Sequence, residues 1–137
     1  MKSFITVVLV LSANFVLAGE ISLKAADGFQ LKADYYAGKN GQSGVVLLHQ
    51  CNGDRSMYKE VGERLAKQGV HVIALDFRGY GGSANNENDM NAMRERTKDR
   101  QEYMKLAAPI RKHWPSDVQA AADFLRARIG KQSLMGV

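Results

Sequence analysis

The sequence predicts an α/β domain in which an antiparallel hairpin precedes parallel strands joined by crossover helices. Three observations lead to this fold class. Residues 45–48 are four consecutive apolar residues, which suits a strand buried on both faces. The run ends abruptly in a polar loop, and an amphipathic helical pattern follows over residues 57–68. A second buried strand is predicted over residues 70–77, which completes the strand-helix-strand unit of an open parallel sheet.

A hydrophobic content of 45% is typical of a globular protein. The length of 137 residues is enough for one modest domain and too short for two. The net charge of +5 is too mild to predict a nucleic-acid partner unless it were concentrated on one face. Cys51 is the single cysteine, so an intrachain disulfide is impossible.

Residues 1–18 predict a signal peptide. Lys2 supplies the positive start, an apolar stretch covers residues 4–17, and Ala18 suits the last position before cleavage. The stretch is shorter than the roughly 20 residues of a spanning helix, so no stable membrane span is expected. We therefore expect export to the periplasm or the outside, with a domain over residues 19–137.

Two alternating segments, residues 20–26 and 29–36, predict the antiparallel hairpin, and Asp27-Gly28 between them is a strong hairpin turn. The loop over residues 38–44 is rich in glycine. It lacks the Gly-Lys-Ser/Thr ending of a phosphate-binding loop, so it predicts no nucleotide site.

The first helix has one apolar stripe, formed by Tyr58, Val61 and Leu65, and Asp54 or Ser56 can cap its start.

A second helix is predicted over residues 90–112, with weak amphipathicity through Met90, Met93, Met104 and Ala108. It carries seven basic and three acidic residues. That surplus is typical of a solvated surface helix, and a lid or an anion-facing surface is the alternative.

A third helix begins at Trp114-Pro115-Ser116-Asp117, where proline suits the first turn and Asp117 suits the positive end of the helix dipole. Its apolar stripe is regular and comprises Val118, Ala121, Ala122, Leu125 and Ile129. Residues 133–137 then begin like a third buried strand.

Two motifs follow the predicted buried strands, Leu47-Leu48-His49-Gln50-Cys51-Asn52-Gly53 and then Asp76-Phe77-Arg78-Gly79-Tyr80-Gly81-Gly82-Ser83. In this order they resemble the oxyanion loop after the third strand and the turn after the fourth strand of the α/β-hydrolases, most closely of the dienelactone-hydrolase type. The resemblance covers about residues 20–137, including Trp114-Pro115-Ser116-Asp117-Val118. It implies an N-terminal part of the α/β-hydrolase fold with strand order 1-2-4-3-5, and hydrolysis of a small ester or lactone without cofactor or metal.

The resemblance also implies a backbone oxyanion donor at Gln50 or Cys51. The family's nucleophile lies on a Gly-x-Ser-x-Gly or Gly-x-Cys-x-Gly elbow after the fifth strand, followed by an acid and a histidine. Neither elbow motif occurs in these 137 residues. We therefore expect a truncated, inactive form whose residues 133–137 leave an unfinished sheet edge open to a partner or to self-association. A non-catalytic binding or interaction domain is the alternative.

Other polar residues invite alternative interpretations. His49 is expected to be a hydrogen-bonded loop anchor, although its spacing from Cys51 also permits a Cys–His nucleophile. His71 is expected to face solvent and His113 to cap a helix. The side chains of Asp76 and Arg78 are expected to hold the glycine turn.

Residues 79–84 also match the Gly-x-Gly-x-x-Ala fingerprint of dinucleotide-binding proteins. That fingerprint must open directly into a helix, whereas residues 85–89 form a polar loop. A nucleotide cofactor is therefore disfavoured.

Overall fold

The computed structural model describes residues 18–39, 43–129 and 135–136. The strands are β1 (Ala18–Lys24), β2 (Gln30–Tyr36), β3 (Ser43–Leu48), β4 (Val70–Leu75) and β5 (Met135–Gly136). The helices are α1 (Lys59–Lys67), α2 (Met90–Arg96), α3 (Arg100–Arg111) and α4 (Trp114–Ile129). Short 3-10 turns cover Arg55–Tyr58 and Gly81–Ser83.

The described strands form one sheet in the order β1-β2-β4-β3-β5. β1 and β2 form the predicted hairpin around Gly28, whose φ of +86° needs glycine, and β2 also pairs antiparallel with β4. β3 lies parallel to β4 and, on its other side, to β5. The predicted fold class and strand order are therefore confirmed. A strand was also predicted over residues 133–137. Its described residues, Met135 and Gly136, pair with Gly44 and Val45 of β3.

Helices cover both faces of the sheet. Ala121 and Leu125 of α4 pack with Leu31, Val46 and Ile73 on one face. On the other face, α1 packs through Ala66 against a cluster of buried sheet residues, comprising Tyr36, Val72 and Ala74. The alternation of β2 and the apolar runs of β3 and β4 place these side chains, because successive residues of a strand point to opposite faces.

The apolar stripe predicted for α1 is wrong at Val61, which is 46% exposed. The helix instead turns Gly62 and Ala66 to the sheet. A Cβ at Gly62 would lie 2.6 Å from Cε2 of Tyr36, so only glycine allows this close approach. Asp54 caps the 3-10 turn that leads into α1, since its carboxylate accepts the Ser56 N–H at 2.8 Å. The N-cap position of α1 itself is Tyr58, whose side chain makes no capping bond.

The helix predicted over residues 90–112 is divided into α2 and α3. Thr97 has an extended backbone, and Asp99 caps α3 by accepting the Glu102 N–H at 2.8 Å. Met90 and Met93 are buried as expected, but Met104 is 40% exposed and Ala108 is also exposed. The buried residues of α3 are Ala107 and Ile110, because the break at Thr97 changes which face meets the core.

The predicted signal peptide, residues 1–18, lies outside the described part of the chain except for its last residue. That residue, Ala18, is the first residue of β1. No helix within the described ranges is long and apolar enough to cross a bilayer.

Candidate active site at the carboxyl edge of the sheet

The loops that follow β3 and β4 meet at the carboxyl edge of the sheet, where open α/β sheets bind ligands. His49 joins them. Its side chain is buried, Nε2 accepts the Phe77 N–H at 3.1 Å, and Nδ1 donates to the Gln50 carbonyl at 2.9 Å. Both ring nitrogens are thus committed to holding backbone, which is the anchoring role expected of His49. The same commitment leaves no ring nitrogen to activate the Cys51 thiol.

Residues 50–53 form a tight turn at the mouth of the site. The Gly53 N–H donates to the Gln50 carbonyl at 3.0 Å, and Asn52 adopts a left-handed φ of +80°. Gln50 and Cys51 are exposed, and neither N–H donates to any other described group. These two N–H groups can therefore donate to a ligand oxygen, and the assignment of the oxyanion donor to Gln50 or Cys51 stays a prediction.

Asn52 is also tied to the helices above the sheet. Its Oδ1 accepts a hydrogen bond from the Arg94 guanidinium of α2, and the same guanidinium lies 5.3 Å from the ring centre of Tyr103 in α3. Arg94 therefore connects the oxyanion-loop candidate to both α2 and α3. The sequence analysis missed this role, because residues 42 positions apart carry no local signal of contact.

Asp76 holds the glycine turn, as predicted. Its carboxylate is fully buried and accepts the Gly82 N–H at 2.7 Å and the Arg55 N–H at 2.7 Å. The Arg55 guanidinium also pairs with Asp76, and its Nε donates to Asp34 at 2.9 Å. A Cβ at Gly81 would lie 2.4 Å from the Asp76 carboxylate, so the turn needs glycine there. Arg55 was missed, because the helix pattern gave it no apolar or capping role.

Arg78 was expected to hold the same turn and does not. Its guanidinium instead bridges Asp27 of the hairpin, at 2.6 and 2.9 Å, and Asp117 of α4, at 2.8 and 3.2 Å. The hydrogen bonds from Arg78 hold the pKa of Asp27 well below its usual range, whereas burial raises the pKa of Asp117. Asp117 lies in the first turn of α4, as predicted, and its full burial beside Arg78 also makes it half of an internal ion pair.

Trp114 completes the connection between the turn and α4. Its Nε1–H donates to the Arg78 carbonyl at 3.1 Å, and its ring packs against Phe77 at a centroid distance of 4.8 Å. The Trp-Pro-Ser-Asp segment therefore contacts the Asp-x-Arg-Gly turn twice, through Trp114 and through Asp117. This explains physically why the two motifs occur together.

A cavity of about 530 Å³ opens beside the oxyanion-loop candidate. Cys51 lines its wall, together with residues from the glycine turn, α2, α3 and the start of α4, including Tyr80, Arg94, Tyr103 and Trp114. Four basic side chains from residues 90–112 line this cavity, which supports the alternative hypothesis that this segment forms an anion-facing surface. They are Arg94, Lys98, Arg100 and Arg111.

Tyr80 is the most deeply buried polar group of this cavity. It is 2% exposed, and its hydroxyl makes no hydrogen bond with a described group. Burial, and after it the neighbouring Tyr103 hydroxyl, raises the pKa of Tyr80, so its hydroxyl stays protonated.

The remaining histidines do not join the site. His71 was expected to face solvent, but Nδ1 accepts the Tyr35 hydroxyl at 2.6 Å and the ring is partly buried. This expectation failed because a neighbouring strand supplies the partner. His113 caps α4 through its carbonyl, which accepts the Asp117 N–H at 3.0 Å and the Ser116 hydroxyl at 2.7 Å. Its Nδ1 lies 3.3 Å from an Asp27 oxygen.

The described residues offer little to a metal or a dinucleotide. No three His, Cys, Asp or Glu side chains among them converge on a common point. The Gly-x-Gly-x-x-Ala stretch forms the 3-10 turn over Gly81–Ser83, and the next helix begins only at Met90. The fingerprint therefore lacks the helix N-terminus that would meet a pyrophosphate.

Comparison with solved structures places this fold among the α/β-hydrolases. A putative dienelactone hydrolase from Klebsiella pneumoniae superposes with a TM-score of 0.60 at 19% identity, covering 90% of this chain and 50% of that one. The esterase Pf2001 of Pyrococcus furiosus gives 0.56 at 19% identity, covering 88% of this chain and 42% of that one. At these identities the likeness concerns the fold.

Sequence comparison reaches the same family. Two curated proteins from two strains of Mycobacterium tuberculosis, both described as uncharacterised, are 40% identical over 77 residues, which is 53% of this chain and 27% of theirs. The chain thus spans about a quarter of their length and about half that of the Klebsiella structure. The family described as serine aminopeptidase, S33, matches residues 40–120, more than half of the chain. The chain therefore belongs to this α/β-hydrolase family, as the two motifs indicated.

Proposed function

We propose that these residues form the N-terminal part of a carboxylic ester or lactone hydrolase of the dienelactone-hydrolase type, which works through an acyl-enzyme. One observation carries the proposal: the N–H groups of the exposed residues Gln50 and Cys51 donate to no described group, and Cys51 lines a cavity at the carboxyl edge of the sheet. Backbone donors at this position stabilise the oxyanion that develops when an ester carbonyl is attacked. The nucleophile, acid and histidine would come from residues outside these 137, in keeping with the share of the structural relatives that the chain spans.

The role of the described residues is to preorganise these donors. His49 fixes the loop to the turn after β4, and Arg94 fixes Asn52 to α2. Such donors need no reorganisation during the reaction, which is why each is typically worth about 10²- to 10³-fold in kcat.

The donor can be tested in a longer protein that contains the nucleophile. Cys51 is the second residue of the 50–53 turn, where proline is well tolerated, so Cys51→Pro removes the N–H and keeps the turn. We expect a loss of kcat on the order of 10²-fold or more on a short-chain activated ester. Cys51→Ala keeps the N–H and is the matched control. Equal kcat for the two variants would exclude Cys51 as the donor and transfer the test to Gln50.

Residues 19–137 by themselves should not hydrolyse such an ester above a denatured control, nor label with a serine-reactive phosphonate. An aminoacyl arylamide is included because the matched family's description names an aminopeptidase. Saturable turnover that Cys51→Ala abolishes would contradict the proposal and favour the His49–Cys51 pair.

We also propose that the protein is exported and that residues 1–18 are removed. The support is the sequence pattern of Lys2, the apolar stretch and Ala18. Intact-mass measurement of the exported protein should give a chain beginning at Gly19. A mass that retains residues 1–18 would indicate an anchor instead.

A second candidate is a binding domain without catalysis, favoured by the absence of an elbow motif from the 137 residues. The two proposals differ in whether further strands are expected to pair with the free edge of β5. The hydrolase proposal expects further strands, supplied by a longer chain or a partner, since an unpaired edge tends to associate. Residues 19–137 alone should then self-associate in size-exclusion chromatography. A monodisperse monomer with a cooperative melt would favour the binding domain.

A further inference from the structure

The positive charge of the chain is concentrated in one segment. Residues 90–112 carry seven basic and three acidic side chains, a net charge of +4 out of the +5 of the whole chain. In the structure this segment forms α2 and α3, whose residues line much of the 530 Å³ cavity. The rest of the chain is nearly neutral, so this region is where an anionic partner would be attracted.

One face of α3, which we name the Met104 face, combines basic with exposed apolar side chains. It comprises Arg100, Met104, Ala108 and Arg111, whose spacing places them on one side of the helix. Met104 is 40% exposed, and Ala108 is also exposed. Arg100, Met104 and Arg111 all line the 530 Å³ cavity, and Nη1 of Arg111 lies 3.1 Å from the Met104 sulfur.

The carboxylates of the segment do not neutralise this face. Asp99 lines the cavity, but its side chain is engaged as the cap of α3. Glu102 is two positions from both Arg100 and Met104, which places it on the other side of a helix with 3.6 residues per turn. The apolar side chains of the Met104 face are therefore bordered by positive charge.

A second cavity continues the Met104 face towards α4. It measures about 580 Å³, and Ala108, Lys112, Pro115 and Val118 are among its lining residues. Arg111 and Trp114 line both cavities. The Met104 face thus borders open, largely apolar clefts on both sides of Arg111, and the half-buried Trp114 lies between them.

The apolar side chains decide which kind of anionic partner fits. A single-stranded nucleic acid needs aromatic rings on which its bases stack. Tyr103 is the single aromatic residue of residues 90–112, and the guanidinium of Arg94 already lies 5.3 Å from its ring centre. The ring of Trp114 is likewise approached by Arg111, at 5.9 Å. An anionic bilayer instead takes exposed apolar side chains into its headgroup boundary and attracts the Lys and Arg around them.

We propose that the Met104 face docks on the surface of an anionic phospholipid bilayer. Met104 and Ala108 enter the headgroup boundary, and the guanidinium groups of Arg100 and Arg111 bind lipid phosphates. The chain stays on one side of the bilayer, with Trp114 close to the headgroups.

Docking in this orientation turns the mouth of the 530 Å³ cavity towards the lipid. A lipophilic ester dissolved in the membrane would then reach the oxyanion-loop candidate without crossing water; this consequence rests on the proposed hydrolase function. The docking itself needs no hydrolysis. Its test measures lipid binding alone, so its failure is distinguishable from the absence of esterase activity.

Trp114 is the single tryptophan of the chain, so its fluorescence reports on this region alone. The 137-residue chain is titrated with phosphatidylglycerol vesicles, which are anionic, and with phosphatidylcholine vesicles, which have no net charge. Both contain a lipid brominated near the headgroup, which quenches tryptophan at short range. We expect half-quenching to need about tenfold less anionic than neutral lipid. Binding through the apolar residues 4–17 does not depend on lipid charge and is therefore contained in the neutral reference.

Salt and charge variants test the electrostatic part. The difference between the two lipids should fall as salt shortens the Debye length from about 10 Å to about 3 Å. Arg100→Gln with Lys112→Gln should raise the anionic lipid needed for half-quenching by about tenfold. The matched control is Lys59→Gln with Lys67→Gln, the same charge change on α1, which covers the other face of the sheet.

One further pair of variants tests the apolar part. Met104→Ser should raise the anionic lipid needed for half-quenching several-fold, because an inserted side chain is lost. Leu106→Ser is the matched control, since Leu106 is similarly exposed, at 43%, but lies on another side of the same helix. Near-UV circular dichroism verifies that each variant is folded.

Equal quenching by neutral and anionic vesicles would overturn the proposal, and so would equal effects of the variants of the Met104 face and their controls. A single-stranded oligothymidylate provides the alternative partner. If it binds more tightly than anionic vesicles at equal phosphate concentration, measured by the same fluorescence, the partner is a nucleic acid and the bilayer assignment is wrong.

Discussion

At the scale of single residues, buried carboxylates determine how the loops of the site are held. Asp76 is fully buried and binds the backbone on both sides of the site, at Arg55 and Gly82. Removing one partner of a buried charge pair leaves the other charge uncompensated. The loss in the free energy of unfolding is therefore larger than for a charge pair on the surface.

Asp76→Asn should therefore lower the free energy of unfolding by about 3 kcal/mol. Asp34→Asn is the matched control, because Asp34 binds the same arginine but its side chain is 25% exposed. That change should cost about 1 kcal/mol or less. Urea unfolding at neutral pH measures both. Equal losses would mean that Arg55, and not the buried carboxylate, accounts for the stability.

Asp27 provides a test by pH. The hydrogen bonds from Arg78 lower its pKa in the folded chain, so its stabilisation is present above the unfolded carboxyl value of about 4. It is lost as pH falls through the lower folded value. The stability difference between the parent chain and Asp27→Asn should hence be largest at neutral pH and narrow below about pH 4. Glu87→Gln, an equal charge change on an exposed loop, is the control. A difference that widens on acidification would contradict this assignment.

At the scale of elements, the close contact between α1 and the sheet depends on Gly62. A Cβ there would lie 2.6 Å from the Tyr36 ring, which is itself only 3% exposed. Alanine would gain about 1 kcal/mol of helix propensity at this position, so the two effects oppose each other.

We expect overpacking to prevail, because inserting a methyl group into a packed contact costs about 1–3 kcal/mol. Gly62→Ala should thus destabilise the chain in thermal or urea unfolding. Val61→Ala, the neighbouring exposed position, should change stability by about 0.5 kcal/mol or less. A Gly62→Ala chain at least as stable as the parent would show that the Tyr36 ring moves aside.

At the scale of the whole molecule, α2 and α3 form a unit apart from the sheet core. Their buried residues pack on Tyr80 in a separate small cluster, comprising Met90, Met93, Ala107 and Ile110. The two helices also line much of the cavity. A region with few buried apolar contacts opens at lower free energy than the central strands.

Native-state hydrogen exchange should accordingly show faster exchange for α2 and α3 than for β4, which has paired strands on both sides. Addition of a ligand that fills the cavity should slow exchange in α2 and α3 first. Equal protection of these helices and β4 would mean that the chain opens as a single unit.

Local patterns in the sequence predicted most of the elements, and the two motifs predicted the family. Four apolar residues before a polar loop placed β3, the Asp-Gly pair placed the hairpin, and the stripe of α4 located one face of the core. These features are local: alternation, helical periodicity and turn chemistry act between residues a few positions apart. The two motifs added the family because their order and spacing are specific.

Which polar residues contact each other became clear from the packed structure alone. Arg55 with Asp76, Arg78 with Asp117, and Arg94 with Asn52 are pairs separated by 21, 39 and 42 positions. Gly62 takes the buried position expected for Val61 for the same reason, since the Tyr36 ring across the interface selects a residue without a side chain. Long-range partners of this kind follow from how the layers pack, which no pattern within one element contains.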